Sequence, residues 1–220
     1  MKLAKNINAA LDSIADSMIG TANSASHRKI VQRVFRKYNA KVLVAVDDNV
    51  SENMIVVTGQ HLPWRIRQNI EIFLTYSVQS KRVRITSKMW KTLKFELSQV
   101  LQHELIHRQQ CYHIQVPKED WEDHACKVYA SKASVPAKKT AQEYFGNTEE
   151  IEAHAHCIMM ELEHYAPRTD PYKFLRFPKK VQTRHSPTLK DYLETFDYDM
   201  KHPAIRRLFK KIVYWIEYEA

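Results

Sequence analysis

Two histidines and one glutamate in this sequence have a spacing that suits metal-assisted hydrolysis. They lie in the string His103-Glu104-Leu105-Ile106-His107. Residues four apart lie one above the other on a helix face, so both imidazoles can reach a single zinc ion while Glu104 lies beside it. Bound zinc lowers the pKa of a water towards about 7, and a carboxylate can accept its proton as the water attacks a carbonyl carbon. The pattern therefore predicts His103 and His107 as metal ligands and Glu104 as the catalytic base.

A plain structural interpretation competes with this one. A motif with three fixed positions arises by chance in many unrelated proteins, and a surface helix can carry two histidines and a glutamate on its polar side. The surroundings favour the metal site, because the motif lies late in a helix predicted over 91–110, whose apolar residues recur every three or four positions. A β-branched run over 82–86 further predicts a strand along the rim of a cleft.

A catalytic zinc site needs a third protein ligand, and the sequence offers two main candidates. Glu150 stands where a helix is expected to open after a loop, so the packing of two helices could bring it to the metal. His113 has the spacing of the longer pattern HExxHxxGxxH, in which the chain turns sharply after the second histidine. That turn uses glycine in a left-handed conformation, and Gln110 at this position would cost roughly 1 kcal/mol or more. The residues thus favour Glu150 over His113. Three neighbours remain as further candidates: Glu149, Glu152 and His154.

Apolar periodicity and turn-forming residues predict the elements that must position these side chains. Helices are predicted over 4–19, 27–38, 63–74, 91–110 and 119–133, with further helix starts at Thr148, Pro187 and Pro203. Strands are predicted over 42–46 and 55–58, joined as a hairpin, and over 82–86. With 220 residues, 44% of them hydrophobic, the chain is expected to form one compact domain with appendages.

Cysteine use and hydropathy predict the kind of environment in which the chain works. Cys111, Cys126 and Cys157 are odd in number and form no CxxC pair, so reduced thiols are expected. No run approaches the roughly 18 consecutive apolar residues of a membrane span. The first ten residues also lack the apolar stretch of a secretory signal. We therefore expect a soluble, cytoplasmic protein without a membrane partner.

The charge balance bears on partners. The formal net charge is +9, from 34 basic and 25 acidic residues. Such a surplus permits attraction to nucleic acid, although a solvated basic surface explains it equally well. The last predicted helix concentrates four of these charges on one face: Arg206, Arg207, Lys210 and Lys211. Charge alone therefore makes nucleic acid a candidate partner, beside a protein or peptide substrate.

At the motif the chain resembles the zincin metallopeptidases, and in particular the gluzincins, in which HExxH on one helix is completed by a glutamate on a later helix. The string Glu150-Ile151-Glu152-Ala153 is similar to the Glu-x-x-Ala pattern at which several such families place that glutamate, which implies Glu150 as the third ligand of Zn²⁺. The resemblance covers roughly residues 82–162. It implies a zinc-dependent hydrolase, and specifically a metalloendopeptidase.

The resemblance also implies a fold and an oxyanion-stabilising residue. The implied fold is α+β, with a small twisted, mainly antiparallel sheet packed on the HExxH helix and a helical C-terminal lobe. Its core would span 39–165, between a helical segment over 1–38 and a helical extension over 166–220. Gluzincins often stabilise the oxyanion with a tyrosine or histidine, which implies Tyr144, with Tyr112 and His185 as rivals. The compact size is similar to that of small phage or bacterial cytoplasmic zincins.

Two other functions stay open at this point. One is a DNA-associated protease, in which the basic surface recruits the same chemistry to protein bound on nucleic acid. The other is a non-catalytic structural or interaction protein that keeps a zincin fold.

Overall fold

The computed structural model of the protein describes residues 2–80, 82–113, 137–178 and 184–219. The chain divides into two compact units, Met1–Cys111 and Tyr112–Ala220. The helix predicted over 119–133 and the thiol of Cys126 lie outside the described residues. Within the described ranges, the chain contains no helix with the length and apolar character that crossing a membrane requires.

The first unit contains helices and a small sheet. Its elements in chain order are α1 (Lys2–Asp12), α2 (Ala15–Met18), α3 (Ser24–Phe35), β1 (Ala40–Asp47), β2 (Val56–His61), β3 (Ile70–Ser77) and α4 (Ser87–His113). The single helix predicted over 4–19 is interrupted after Asp12, where the Ser13 hydroxyl donates to the carbonyl of Ala10 at 2.7 Å. The long helix predicted over 91–110 is confirmed as α4, which starts four residues earlier and ends three residues later.

The sheet has the order β1-β3-β2, with β3 in the centre. β1 runs parallel to β3, with Ala40 opposite Ile70, whereas β2 runs antiparallel to it, with His61 opposite Ile70. The predicted hairpin is therefore wrong, since β1 and β2 each pair with β3 and not with one another. The sheet is mixed and not mainly antiparallel.

Two predictions about the strands need correction. The predicted helix over 63–74 is wrong, because its second half belongs to β3. A central strand is covered on both faces and reads as a nearly continuous apolar run, which periodicity alone does not separate from a helix. The strand predicted over 82–86 is also wrong. Arg82 forms only an isolated bridge to Asn23, and the backbone of Ile85 bonds the loop at Gly20 and Thr21 instead of the sheet.

The core of the first unit lies between the sheet and its helices. α4 contributes a stripe at four-residue spacing, and the inner face of β3 contributes residues at two-residue spacing. These side chains are all buried and form one cluster: Leu93, Leu97, Leu101 and Leu105 from α4, and Ile70, Ile72 and Leu74 from β3. The cluster fixes the helix that carries HExxH against the sheet.

The second unit is helical in its described part. It contains α5 (Ala137–Gly146), α6 (Thr148–Tyr165), α7 (Pro171–Arg176), α8 (Pro187–Thr195) and α9 (Pro203–Glu219). The helix starts predicted at Pro187 and Pro203 are confirmed. Thr148 is the first residue of α6 and not its cap, because the Asn147 side chain accepts from the backbone N–H of Glu149 at 2.9 Å. The predicted inner stripe of α6 is buried: Ile151, Ala155, Ile158 and Leu162. The α+β class predicted from the sequence is confirmed.

Candidate metal centre

The two motif histidines of α4 face one another. The Nε2 atoms of His103 and His107 lie 2.9 Å apart, and their rings meet edge to face with centroids 4.6 Å apart. Two nitrogens bound to one tetrahedral zinc at about 2.0–2.1 Å would be about 3.3 Å apart. Helical spacing alone thus brings both donors close to the separation that a shared ion requires, with both side chains partly exposed.

Gln110 orients the second of these histidines. Its Oε1 lies 2.9 Å from His107 Nδ1, and an amide oxygen can only accept a hydrogen bond. With Gln110 Oε1 as the acceptor, neutral His107 would carry its proton on Nδ1 and keep the lone pair of Nε2 for a metal. Metal-binding imidazoles commonly donate their other N–H to an acceptor in this way. The sequence interpretation treated Gln110 only as a departure from glycine, although its position one turn after His107 was a usable signal.

Glu104 lies beneath strand β2. The residue is only 5% exposed. A Cβ built on Gly59 would lie 2.7 Å from Val100 Cγ1 and 2.9 Å from Glu104 Cγ, so the backbone of β2 approaches α4 as closely as glycine allows. The strand that covers the motif is therefore β2, and not the segment 82–86. The close approach limits the positions that the Glu104 carboxylate can take.

His61, the last residue of β2, is a neighbour of the motif that the sequence interpretation missed. Its Nδ1 lies 3.7 Å from the Sγ of Cys111 on α4. Burial, followed by the charges of His107 and Arg108, lowers the pKa of His61 to about 4, so the imidazole is neutral at physiological pH. No local pattern marks His61, because it meets the motif only through the packing of β2 on α4.

The backbone removes the structural premise for His113 as third ligand. The HExxHxxGxxH pattern needs a sharp turn after the second histidine, but α4 continues as a helix through Gln110 to His113. The side chains of Tyr112 and His113 lie outside the part of the structure that is described. The chain reversal that would return His113 towards His107 is absent from this described helix.

In the second unit, Glu150 and His154 lie one turn apart on α6. Glu150 Oε2 is 3.9 Å from His154 Nδ1, and the side chains are only 18% and 14% exposed. The Tyr192 hydroxyl lies 3.2 Å from the same Nδ1. Burial, with the charge of Glu150 adding to it, raises the pKa of Tyr192, so this hydroxyl stays protonated and can donate. α6 thus presents a largely buried carboxylate and an imidazole on one face, both of them groups that bind zinc.

Tyr144 lies beside this pair. Its ring packs edge to face on His154, with centroids 5.7 Å apart, and the residue is 36% exposed. Its predicted rival His185 instead packs its ring against Phe174, with centroids 5.3 Å apart. The assignment of Tyr144 to the oxyanion stays a prediction that rests on the resemblance.

The other candidate ligands on α6 have different surroundings. The Glu152 carboxylate forms an ion pair with Lys211 of α9, with Oε1 3.2 Å from Nζ. Glu149 lies in the first turn, where its backbone N–H is used by the cap. Glu150 and His154, four residues apart, share one face of α6.

The donors described here are two imidazoles on α4 and a carboxylate with an imidazole on α6. Nitrogen and carboxylate ligands of this kind suit zinc. Comparison with protein-family models, with curated proteins and with solved structures finds no match.

Proposed function

We propose that this chain is a zinc-dependent hydrolase, and specifically a metalloendopeptidase of the gluzincin type. His103 and His107 would bind the metal, Glu150 would complete the ligand set, and Glu104 would act as the base. The observation that carries the proposal is the pair of Nε2 atoms 2.9 Å apart, one of them freed by the bond from His107 Nδ1 to Gln110. A metal ion bound by both nitrogens would take the place of the proton that otherwise joins them.

The chemistry follows from the position of Glu104. Zinc in this position would polarise a water and a carbonyl oxygen. Glu104 is the motif's carboxylate, and its burial under β2 keeps it from bulk water, so it is suited to accept and hold a proton. Tyr144 would donate a hydrogen bond to the developing oxyanion, as the resemblance implies.

The free edge of β2 supports a peptide as substrate. In the part of the chain that the structure describes, β2 pairs with β3 along one edge, and no described strand pairs with the other. An extended peptide can add to such an edge through main-chain hydrogen bonds. Because β2 lies on α4 at Glu104, a peptide bound there would run past the motif.

Zinc content and hydrolysis, measured on the same preparations, test the proposal. The wild-type chain should bind about one zinc, and His103→Ala and His107→Ala should lose it, while the exposed control His164→Ala keeps it. Glu104→Gln should keep the zinc and lose about 10²–10⁴-fold in peptide hydrolysis. Gln110→Ala should weaken zinc binding by about 10–100-fold, because it removes the acceptor that orients His107.

The third ligand has its own matched pair of variants. Glu150→Gln should weaken zinc binding, and Glu149→Gln, one residue away on the same helix, should not. A folded wild-type chain that takes up no zinc would refute the proposal. Zinc uptake without hydrolysis by any preparation would favour the non-catalytic alternative.

A further inference from the structure

The lining of a cavity in the second unit includes none of the proposed metal ligands. The cavity has a volume of about 300 Å³ and is formed by the start of α6 and the middle of α9. This volume is at the lower end of the range found for small-molecule sites. Its lining combines cations, a hydroxyl, an aliphatic side chain and an aromatic ring: Arg207, Lys210, Lys211, Thr148, Ile151 and Tyr214.

The surface of the cavity is mostly apolar, but several of the side chains that form it end in cations. Three of its lining residues are cations, and among the described residues Lys211 forms an ion pair with the Glu152 carboxylate at 3.2 Å. Arg207 donates to the Thr148 hydroxyl at 3.3 Å. A hydroxyl carries no charge, so this bond positions the guanidinium without neutralising its positive charge. An anionic group is the natural partner, and guanidinium and ammonium groups are the usual ligands of phosphate.

The other wall of the cavity is aromatic. The ring of Tyr214 is 49% exposed and stacks on Tyr218, which is 66% exposed, with centroids 5.8 Å apart and planes inclined by 18°. The ammonium of Lys211 lies 5.8 Å from the centroid of Tyr214. Two accessible rings thus follow the cations along α9. Flat apolar groups that alternate with phosphates would match this succession.

We propose that this cavity binds one nucleotide unit of single-stranded nucleic acid. Arg207 and Lys210 hold a backbone phosphate, Tyr214 stacks on the base, and Tyr218 meets the adjacent base. Proteins that bind single strands combine these two elements, a cationic track and stacking rings. In a duplex the faces of the bases are already stacked on one another, so they are not accessible for stacking on the tyrosine rings. A phosphopeptide would use the cations, but it supplies no regular succession of flat groups for two rings.

Fluorescence anisotropy of a labelled twelve-residue oligothymidylate with the full chain tests this proposal. Arg207→Gln and Lys210→Gln should each weaken binding and lower the slope of log affinity against log salt by about 0.7, the value for one phosphate contact on a single strand. Arg206→Gln is the matched control, because Arg206 is an exposed neighbour of the same charge that does not line the cavity. Its affinity and salt slope should stay close to those of the wild type.

Substitutions at the ring test the stacking part of the proposal. Tyr214→Ala should weaken binding by about tenfold, whereas Tyr214→Phe, which keeps the ring, should bind like the wild type. Equal losses for Arg206→Gln and Arg207→Gln, or an unchanged Tyr214→Ala, would overturn the proposal. So would tighter binding of the corresponding duplex, or binding of thymidine monophosphate as tight as that of the oligonucleotide.

This inference is independent of the proposed hydrolase. Glu104→Gln and His103→Ala should bind the oligonucleotide with wild-type affinity, since neither residue lines the cavity. Failure of zinc binding would leave the oligonucleotide result standing, and failure of oligonucleotide binding would leave the zinc result standing.

Discussion

Replacement of Gly59 by alanine tests the contact on which the geometry of Glu104 depends. The new methyl group would lie 2.7 Å from Val100 Cγ1, 2.9 Å from Glu104 Cγ and 3.0 Å from Glu104 Oε1. Carbon atoms in contact are normally about 3.5–4.0 Å apart, so two of these contacts are too close by about 0.6 Å or more. The backbone of Gly59 does not have a positive φ, so the effect would come from packing alone.

The size of the stability loss depends on whether the neighbouring side chains can move away from the new methyl group. Val100 is β-branched and has one strongly preferred rotamer in a helix, so it cannot turn away without strain. An off-rotamer side chain costs about 0.5–1.5 kcal/mol, and overpacking of a core costs about 1–3 kcal/mol in total. We expect Gly59→Ala to lower the free energy of unfolding by about 2 kcal/mol. For a chain of this size that corresponds to a fall in Tm of about 4–8 °C.

Thermal unfolding followed by circular dichroism measures the effect, with Gly146→Ala as the control. A Cβ on Gly146 would meet no atom within 4 Å, and Gly146 ends helix α5. Alanine there should be neutral or stabilise by about 0.4–1 kcal/mol, because it restricts the unfolded chain. If Gly59→Ala melts together with the wild type, β2 does not lie on Glu104. In the proposed enzyme, Gly59→Ala should lower hydrolysis more than zinc content, since it displaces the base and not the ligands.

Two further expectations concern buried groups of the first unit. Tyr76→Phe should lower the free energy of unfolding, measured in urea, by about 1–3 kcal/mol. The reason is that the Tyr76 hydroxyl lies 2.8 Å from Nδ1 of the fully buried His27, whose Nε2 bonds the Thr21 carbonyl. A loss no larger than that caused by Tyr218→Phe, at an exposed position, would contradict this expectation. Burial raises the pKa of Glu96 from 4.5 to about 6, so the folded state binds this proton more tightly and loses stability as the pH rises through that window. Glu96→Gln should therefore unfold like the wild type near pH 4 and be more stable than the wild type near pH 7.5, by about 1 kcal/mol after allowance for the partial exposure of Glu96. A stability difference between the two proteins that does not change with pH would show that ionisation of Glu96 does not cause it.

The spacing of apolar residues and the capping residues are sufficient to predict those parts of the fold that consist of a single helix. The leucines of α4 recur at four-residue spacing over the whole segment, and Ser186 and Pro187 mark the start of α8 within two positions. The same local rule places His103 and His107 together, because residues four apart share one face of a helix. Elements with a strong repeat and a capping residue are specified by residues close in sequence.

Sheet pairing could not be found in this way. Ile70 and Leu74 fit both helical spacing and strand alternation, and only the burial of β3 between β1 and β2 decides between them. The predicted hairpin failed for a related reason, because the strand that separates β1 from β2 in the sheet comes after both in the chain. Pairing of this kind depends on contacts that are distant in sequence.

The same distinction divides the residues around the motif. Gly59 and His61 acquire a role only because β2 lies on α4, and neither belongs to a pattern of its own. Gln110 differs from them, because it contacts His107 along the same helix and could have been found from a spacing of three.

Gln110 also bears on the choice between the two predicted sources of the third ligand. Residues three apart face each other only while the helix continues, so the bond from His107 Nδ1 to Gln110 requires helical backbone at position 110. The turn of HExxHxxGxxH requires left-handed backbone at that same position. One residue cannot satisfy both conditions. A site that uses Gln110 to orient His107 would take its third ligand from another element, and this supports the proposal of Glu150 over His113.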